Sequence, residues 1–319
     1  MEENRIYDAS SSIPADEFEH IGQDIDSANV ISRKSISFWQ DAWGRLKSDK
    51  LAMFFIVILV LMILGAIIFP MISPYTISEQ RLEFKNMGLF FTGDTSIHIF
   101  GTDDLGRDLW VRTWQGARVS LMIAFVAVAI NTVIGIIYGG ISGYFGGMID
   151  NVLMRIVEII NGIPYLLIVI LLGLVLEPGI STIIIAYCMI GWVGMARLVR
   201  GQVLQLKQQE FVIAASTMGA SSARIIARHL IPNIISVIII NLTLSIPSAI
   251  FTEAFLSFLG LGVPIPNASW GMLASTGIRN FQAYPYQLLI PAFFISITML
   301  AFNLLGDRLR DAFDPKLRR

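Results

Sequence analysis

The chain has few of the side chains that form disulfides or bind metals. It has one cysteine, Cys188, which excludes a disulfide within the chain and a metal site built from several cysteines. Its three histidines, His20, His98 and His229, are widely separated in the sequence and form no ligand pair. We therefore expect no metal site in this chain.

The sequence also lacks the short motifs of several common catalytic centres. It has no HExxH, no GxSxG and no glycine-rich loop that ends in Gly-Lys-Ser/Thr. Gly101 and Gly106 have a spacing similar to that of a phosphate loop, but the ending is missing, so we reject nucleotide binding there. An ATPase holds phosphates with such a loop and its lysine. We therefore expect no enzyme activity and no bound cofactor, and any ATP-driven step would have to be powered by a separate subunit.

Charged residues are scarce, at 15% of the chain, whereas hydrophobic residues make up 55% and the mean hydropathy is +0.67. About 20 apolar residues in a helix cross the roughly 30 Å hydrocarbon layer. Six apolar blocks approach or exceed this length, at about 51–72, 119–141, 152–176, 180–196, 234–256 and 288–306. They lack the alternation of barrel strands, and a helix satisfies its own backbone in lipid. The predicted fold is an all-α polytopic membrane protein with six transmembrane helices, which makes the lipid bilayer a partner; we expect no nucleic acid partner.

The basic residues indicate how the chain is oriented. With six spans, the basic regions 33–50, 197–229 and the C-terminal tail all fall on one side of the membrane. The positive-inside rule makes that side the cytoplasm, so both termini are expected there. The loop 74–118 is expected outside, although it contains Arg107, Arg112 and Arg118.

The chain divides into five expected segments. The cytoplasmic segment 1–50 combines a mobile acidic tail over 1–32 with an amphipathic helix over 35–50, which either braces a partner subunit or simply anchors at the membrane surface. Residues 51–73 form the first span, which begins too late and is too long for a cleaved signal peptide and should remain as an anchor. The segment 74–116 is an extracytoplasmic loop, 117–306 is a core of five helices, and 307–319 is a cytoplasmic tail.

The inner loop at about 205–229 is the most informative part of the sequence. A helix over 207–222 places Phe211, Ala214, Ala215 and Met218 on one face, because they follow the spacing i, i+3, i+4 and i+7. Gly219 is expected to end that helix in the left-handed conformation, and Ser221 or Ser222 to cap the next one before Pro232. A short surface helix of this kind, with Glu210 at its start, is typical of a site that another protein binds. The alternative is a surface helix with no partner.

Several other positions are candidates for the transport path or for packing. Asp103 and Asp104, within the motif FGTDDLGRD that also contains Arg107 and Asp108, are expected to cap a helix running toward Trp110 and Trp114. The motif is either an outer-face structure near the pore mouth or a capped surface turn. Glu253 either faces the translocation path or bonds to loop backbone, since a carboxylate in apolar surroundings needs a partner or water.

The remaining candidates concern the helices themselves. Gly135, Gly139 and Gly143 repeat every four residues and form a stripe that another helix can approach closely; packing is the first interpretation and a pore lining the second. Arg155 and Glu158 are three residues apart and are expected to pair near the inner end of the third span. Three prolines should bend or interrupt helices, namely Pro164, Pro247 and Pro291.

The inner loop resembles the EAA loop of permease subunits from bacterial ABC importers, which reads Glu-Ala-Ala, three residues, Gly, nine residues, Ile, one residue, Leu-Pro. Ala214, Ala215, Gly219 and Pro232 match that pattern. Three positions depart from it, where Ile213 replaces Glu, His229 replaces Ile and Ile231 replaces Leu; Glu210, one turn earlier, can supply a carboxylate instead.

Other stretches extend the resemblance over most of the chain. FGTDDLGRD, TEAFLSFLGLG and the closing GDRLRDAFDPKLR are similar to the C-type permease subunits of oligopeptide or dipeptide ABC importers; nickel importers share much of this pattern. The resemblance implies a type I importer permease fold, a homologous second permease forming a heterodimer, two ATP-binding subunits that use ATP and Mg, and an extracytoplasmic peptide-binding protein. It also implies that the 207–222 helix couples this chain to the ATPases.

Two rival classes stay open on the sequence alone. A self-powered carrier would need its own ion site, for which Glu253 and the Arg155–Glu158 pair are the sparse candidates, and we see neither internal symmetry nor a dense set of pore charges. A membrane enzyme would need a catalytic cluster, and the sequence shows none.

Overall fold

The computed structural model describes residues 37–93, 97–177, 179–264 and 266–314. The acidic tail over 1–32 and the last five residues, which belong to the expected cytoplasmic segments, lie outside these ranges. The chain divides into two units, Met1–Asp41 and Ala42–Arg319, and the described part of the first unit is the start of helix α1.

Helix α1 (Phe38–Ser48) is amphipathic, as the sequence predicts. Within the second unit Leu46 is buried, whereas Trp43 is exposed. Asp49 then begins the first span, since its carboxylate accepts hydrogen bonds from the backbone N–H groups of Leu51 and Ala52. Helix α2 (Lys50–Ile72) follows, close to the predicted bounds of 51–73.

The segment between α2 and Leu109 is mostly irregular. Its described residues contain one 3₁₀ turn (Leu82–Phe84) and a pair of two-residue antiparallel strands, β1 (Phe91–Thr92) and β2 (Ile97–His98). The all-α prediction missed these strands because two residues are too few for a readable alternation. Helix α3 then begins at Leu109, so residues 109–116 belong to a helix rather than to the expected loop.

Helix α3 is the longest described element and the centre of the packing. It runs from Leu109 to Phe145, and its 37 residues span about 55 Å, more than the hydrocarbon layer. Helices α4 (Gly147–Asn161) and α5 (Tyr165–Val175) follow, then α6 (Ile180–Ile190) and α7 (Trp192–Leu206). Next come α8 (Glu210–Thr217), α9 (Ser222–Ile225) and a π-helical turn (Ile226–Leu230). The chain closes with α10 (Ile231–Phe258), α11 (Trp270–Arg279) and α12 (Tyr286–Phe313).

Five described segments are long and apolar enough to cross a membrane. A sixth crossing depends on α4 and α5, which meet at a bend of 77°. Pro164 lies at this break, directly before α5, so the expected interruption of the apolar block 152–176 is confirmed. Pro247 and Pro291 instead lie inside α10 and α12, which continue past them, so the expected interruption does not occur there. Neighbouring helices in a membrane protein can compensate for the missing backbone hydrogen bond.

Two apolar clusters organise the core. The larger one joins α2, α3, α10, α11 and α12 around Trp114, Trp270 and Phe294. The second joins α7, α8, the π-helical turn and α10 around Val199, Val203 and Leu230. The inner loop is therefore attached to the membrane helices by burial of apolar side chains.

Candidate functional site

The inner loop forms a short helix with an apolar exposed surface. Helix α8 covers Glu210–Thr217 rather than 207–222, because a turn over 218–220 separates it from α9. Phe211 and Ile213 are exposed, and Met218 at its C-terminal end exposes 81% of its surface. Helix α8 lies outside the segments that could cross a membrane, and exposed apolar side chains grouped outside such segments mark sites of interaction.

The opposite face of α8 seats the helix on the protein itself. Val212 and Ala215 are buried against a cluster that includes Val199 and Val203 of α7. The expectation that Phe211, Ala214, Ala215 and Met218 share one exposed face is therefore wrong, since Ala215 points inward. Spacing alone placed these residues together, but it could not tell which part of the helix surface the rest of the chain would cover.

Both ends of the turn after α8 have the local structure that their residues favour. Gly219 has φ +81°, in the left-handed region that favours glycine, and a Cβ there would meet no atom within 4 Å. Ser221 caps α9, since its Oγ accepts from the Arg224 N–H at 3.4 Å.

Pro232 lies in the first turn of α10, where a missing N–H costs little. Glu210 is exposed at the first turn of α8, where a negative charge is favourable.

The outer motif is a buried network of charges. Asp103 Oδ1 accepts from the N–H groups of Leu105 and Arg107, each at 2.9 Å, and its Oδ2 accepts from Arg107 Nε at 2.7 Å. Arg112 Nε lies 3.6 Å from the same carboxylate. Asp104 is more exposed and lies 3.9 Å from Arg107. Buried charged side chains need such oppositely charged partners. Because Arg112 belongs to α3, its contact with Asp103 links the motif to the start of that helix.

Helix α3 is capped by Asp108, not by Asp103 or Asp104 as expected. Asp108 Oδ1 accepts from the Val111 N–H at 2.8 Å, and Oδ2 lies 2.8 Å from Nδ1 of the buried His98, which stacks on Tyr75. Burial raises the pKa of the Asp108 carboxyl above its ordinary value, while the Val111 N–H and the His98 ring act in the opposite direction. The sequence analysis did not pair His98 with Asp108, because ten residues separate the two.

Glu253 is buried rather than open to a path, with 1% of its surface exposed. Its two carboxyl oxygens accept hydrogen bonds from Ser120 Oγ and Ser257 Oγ, each at 2.8 Å. Ser120 also accepts from the Trp270 N–H at 3.2 Å, so the group links α3, α10 and α11. Neither sequence alternative, a pore-facing carboxylate or one bonded to loop backbone, describes these contacts.

The glycine stripe faces α7. A Cβ on Gly135 would collide with Met195, one on Gly139 would come within 3.0 Å of Val199, and one on Gly143 would meet Val203 at 2.9 Å. Helices α3 and α7 are thus in close contact along this line, as small residues at regular spacing permit. These contacts favour the packing interpretation over a pore lining.

Sequence matches agree with the membrane architecture. Residues 135–319 match the family model of the binding-protein-dependent transport system inner membrane component, and residues 37–88 match the N-terminal TM domain of oligopeptide transport permease C. The chain belongs to this family of transport-system membrane components. It is a multi-pass protein of the cytoplasmic membrane, and its family functions together with a binding protein and an ATPase.

Several curated relatives are similar over almost their whole length. The chain is 51% identical over 308 residues to the oligopeptide transport system permease protein OppC of Bacillus subtilis (strain 168), which covers 97% of this chain and 99% of that protein. It is also 51% identical to the dipeptide transport system permease protein DppC of the same organism, over 92% of this chain and 90% of that protein. OppC of Escherichia coli (strain K12) is 43% identical, over 88% and 92%.

Among solved structures, inward-facing conformations of the MetNI methionine ABC transporter give a TM-score of 0.48 at 16% identity. The match covers 62% of this chain and 94% of that chain.

One ion pair of this transport component was absent from the sequence interpretation. Asp150 at the start of α4 accepts from Arg200 of α7, whereas the expected pair of Arg155 with Glu158, at 2.9 Å, lies exposed on the surface. A separation of 50 residues gives no local signal. Within the described ranges, no three His, Cys, Asp or Glu side chains group in a way that could hold a metal ion.

Proposed function

We propose that the chain is the permease subunit of an ATP-driven importer that moves oligopeptides or dipeptides into the cytoplasm. The observation that carries this proposal is the 51% identity to peptide permeases of Bacillus subtilis over 90% or more of this chain. The relatives compared above are named as dipeptide or oligopeptide permeases, which supports a peptide rather than nickel as the cargo.

The proposed complex pairs this chain with a homologous second permease and two ATP-binding subunits. A peptide-binding protein delivers cargo to the outer segments 74–118 and 260–287. The ATPases bind ATP and Mg, so this chain needs no cofactor and performs no hydrolysis itself. The basic residues around α8, among them Arg197, Arg224 and Arg228, support a cytoplasmic position for that helix and for both termini.

Coupling between the subunits is assigned to α8. Phe211, Ile213 and Met218 offer an apolar surface that fits a groove on an ATPase, while Val212 and Ala215 attach the helix to α7 and α10. A helix held by packing moves as a rigid element, so closure of the ATPase dimer would rock the spans and change which side the cavity faces. Ala214, exposed and small, lets the helix approach its groove closely.

Three measurements test this function. Uptake of labelled tri-alanine is compared in cells with and without the gene; equal uptake would contradict the peptide assignment, provided no second peptide importer is present. When this chain is purified in mild detergent, an ATPase should co-purify with it in a constant stoichiometry. Uptake by the chain alone in liposomes, without an ATPase, would instead identify a self-powered carrier.

A further inference from the structure

Three membrane segments bring uncharged polar side chains to a cavity of about 200 Å³. These side chains come from α3, from the α6–α7 segment and from α10, and are Asn131, Thr132, Tyr187, Asn241 and Ser245. Gly194 has open space where a Cβ would be, so the wall there is backbone. A cavity of this volume holds several water molecules or a short stretch of extended chain.

The cavity lies near the middle of the membrane. Asn131 and Thr132 are central in the apolar block 119–141, and Asn241 and Ser245 are near the middle of the block 234–256. Polar side chains at this depth are costly unless they have partners, and they either join helices or line substrate pathways. The convergence of these side chains from separate helices on one cavity makes it a place where cargo can bind.

Asn131 is the strongest sign of a missing ligand. Only 5% of its surface is exposed, and its Oδ1 has no hydrogen-bond partner within the described part of the chain. Its amide packs closely against Gly191, since a Cβ there would collide with Asn131 Nδ2. A buried carbonyl oxygen without a donor is unfavourable unless a donor enters the cavity.

The chemistry of the lining indicates what that donor is. None of the lining side chains is charged. Amides and hydroxyls both accept and donate hydrogen bonds, as the peptide main chain does. Ser245 Oγ already donates its hydrogen to the main-chain carbonyl oxygen of Asn241 at 2.7 Å. Towards a ligand, the Ser245 hydroxyl can therefore act only as an acceptor. The lining thus suits a main-chain N–H and selects no side-chain charge.

We propose that this cavity binds the main chain of a passing peptide, with Asn131 Oδ1 accepting from a peptide N–H. The inference rests on the proposed function and adds to it a site and a recognition rule. Since all peptides share the main chain, the rule gives a path that accepts many sequences.

Uptake by cells that express the whole transporter tests the site. Asn131→Leu should lower uptake of labelled tri-alanine by about tenfold, the effect of losing one buried hydrogen bond. Thr132→Val should lower it by a smaller factor. The matched control is Thr243→Val on α10, because Thr243 is equally buried but donates to the Ile239 carbonyl and does not line the cavity. Uptake is divided by membrane abundance, and equal effects of the two Thr→Val changes would overturn the site.

The recognition rule is tested with peptides of different charge. Asn131→Leu should lower the uptake of tri-alanine, tri-lysine and tri-glutamate by the same factor, each relative to the unmodified transporter. A factor that depends on the side chain would overturn main-chain binding. If the unmodified transporter imports none of these peptides, the proposed function itself fails; if it imports them and both cavity variants match it, only the cavity proposal fails.

A direct contact measurement does not depend on rates. In a Cys188→Ala background, Ser245→Cys places a single thiol at the cavity, and bromoacetyl-tri-alanine should alkylate it during ATP-driven uptake. Thr243→Cys is the control and should remain unlabelled. Labelling of both variants, or of neither while uptake proceeds, would contradict the proposed site.

Discussion

Arg200 of α7 donates from Nη2 to Asp150 Oδ2 at the start of α4 over 2.6 Å. Arg200 Nε and Ser142 Oγ also donate to Asp150, so the carboxylate is held by two helices besides its own. The pair fixes the inner end of α4 against α7, the helix on which α8 is seated.

Loss of this pair should destabilise the protein. Arg200→Ala leaves a mostly buried carboxylate without its charged donor and should cost about 1.5–3 kcal/mol. The control is Arg155→Ala, since the exposed Arg155–Glu158 pair contributes less than about 1 kcal/mol. Thermal unfolding in detergent should show a lower Tm for Arg200→Ala only. An equal decrease in both variants would mean that the Asp150–Arg200 pair stabilises the protein no more than the exposed Arg155–Glu158 pair.

The Asp150–Arg200 pair also shows where sequence reasoning stops. Local signals were reliable: apolar blocks located most spans, and Gly219 was correctly expected in the left-handed conformation. The Arg155–Glu158 pair was found because its members are one helical turn apart. Pairs such as Asp150 with Arg200 depend on which helices become neighbours, and composition and spacing carry no such information.

The same limit explains the errors at the sites themselves. Helical spacing grouped Ala215 with the exposed residues of α8, but burial depends on α7, a different part of the chain. Glu253 was read against its sequence neighbours, whereas one of its partners, Ser120, lies 133 residues away. The outer motif was recognised, yet its cap was assigned to Asp103 and Asp104 instead of Asp108 because all three are Asp residues near the same helix start.

The two alanines of α8 should respond differently to a large side chain. Ala215→Trp would force bulk into a close-packed cluster and should lower the amount of protein in the membrane. Ala214→Trp projects outward and should leave that amount unchanged while it lowers peptide uptake, because the helix can no longer approach its partner. Immunoblots of membranes alongside uptake separate the two effects. Normal uptake by Ala214→Trp would weaken the assignment of α8 as the coupling helix.

Gly219 allows backbone strain and bulk to be separated. Gly219→Arg should abolish uptake while the protein still inserts, since it adds a large charged side chain beside the exposed surface of α8. Gly219→Asn is the control, because Asn tolerates the left-handed conformation at lower cost. Uptake and membrane abundance are measured for both. Loss of uptake in both variants would point to strain in the turn rather than to interference with docking.

Glu253 should depend on its hydrogen bonds more than on its charge. Glu253→Gln keeps an oxygen that accepts from one serine and should cost little. Glu253→Leu removes the acceptor of the Ser120 hydroxyl, at about 1–3 kcal/mol, and leaves Ser257 with only Ser269 Oγ at 3.3 Å. The Tm in detergent should therefore fall much further for the Leu variant. A pore-facing carboxylate would give the opposite pattern, with uptake lost in the Gln variant and the Tm unchanged.

The contact between α3 and α7 can be tested with a single methyl group. Gly139→Ala would place a Cβ against the Ala196 carbonyl and within 3.0 Å of Arg200 N, and backbone atoms cannot move aside as a flexible side chain can. Gly201→Ala is the matched control, since it meets no atom within 4 Å and should gain up to about 1 kcal/mol from helix propensity. We expect the Tm to fall for Gly139→Ala and to rise slightly for Gly201→Ala. A rise in both would mean that α3 and α7 do not approach each other this closely, and α8 would then lose the rigid support through which it is proposed to act.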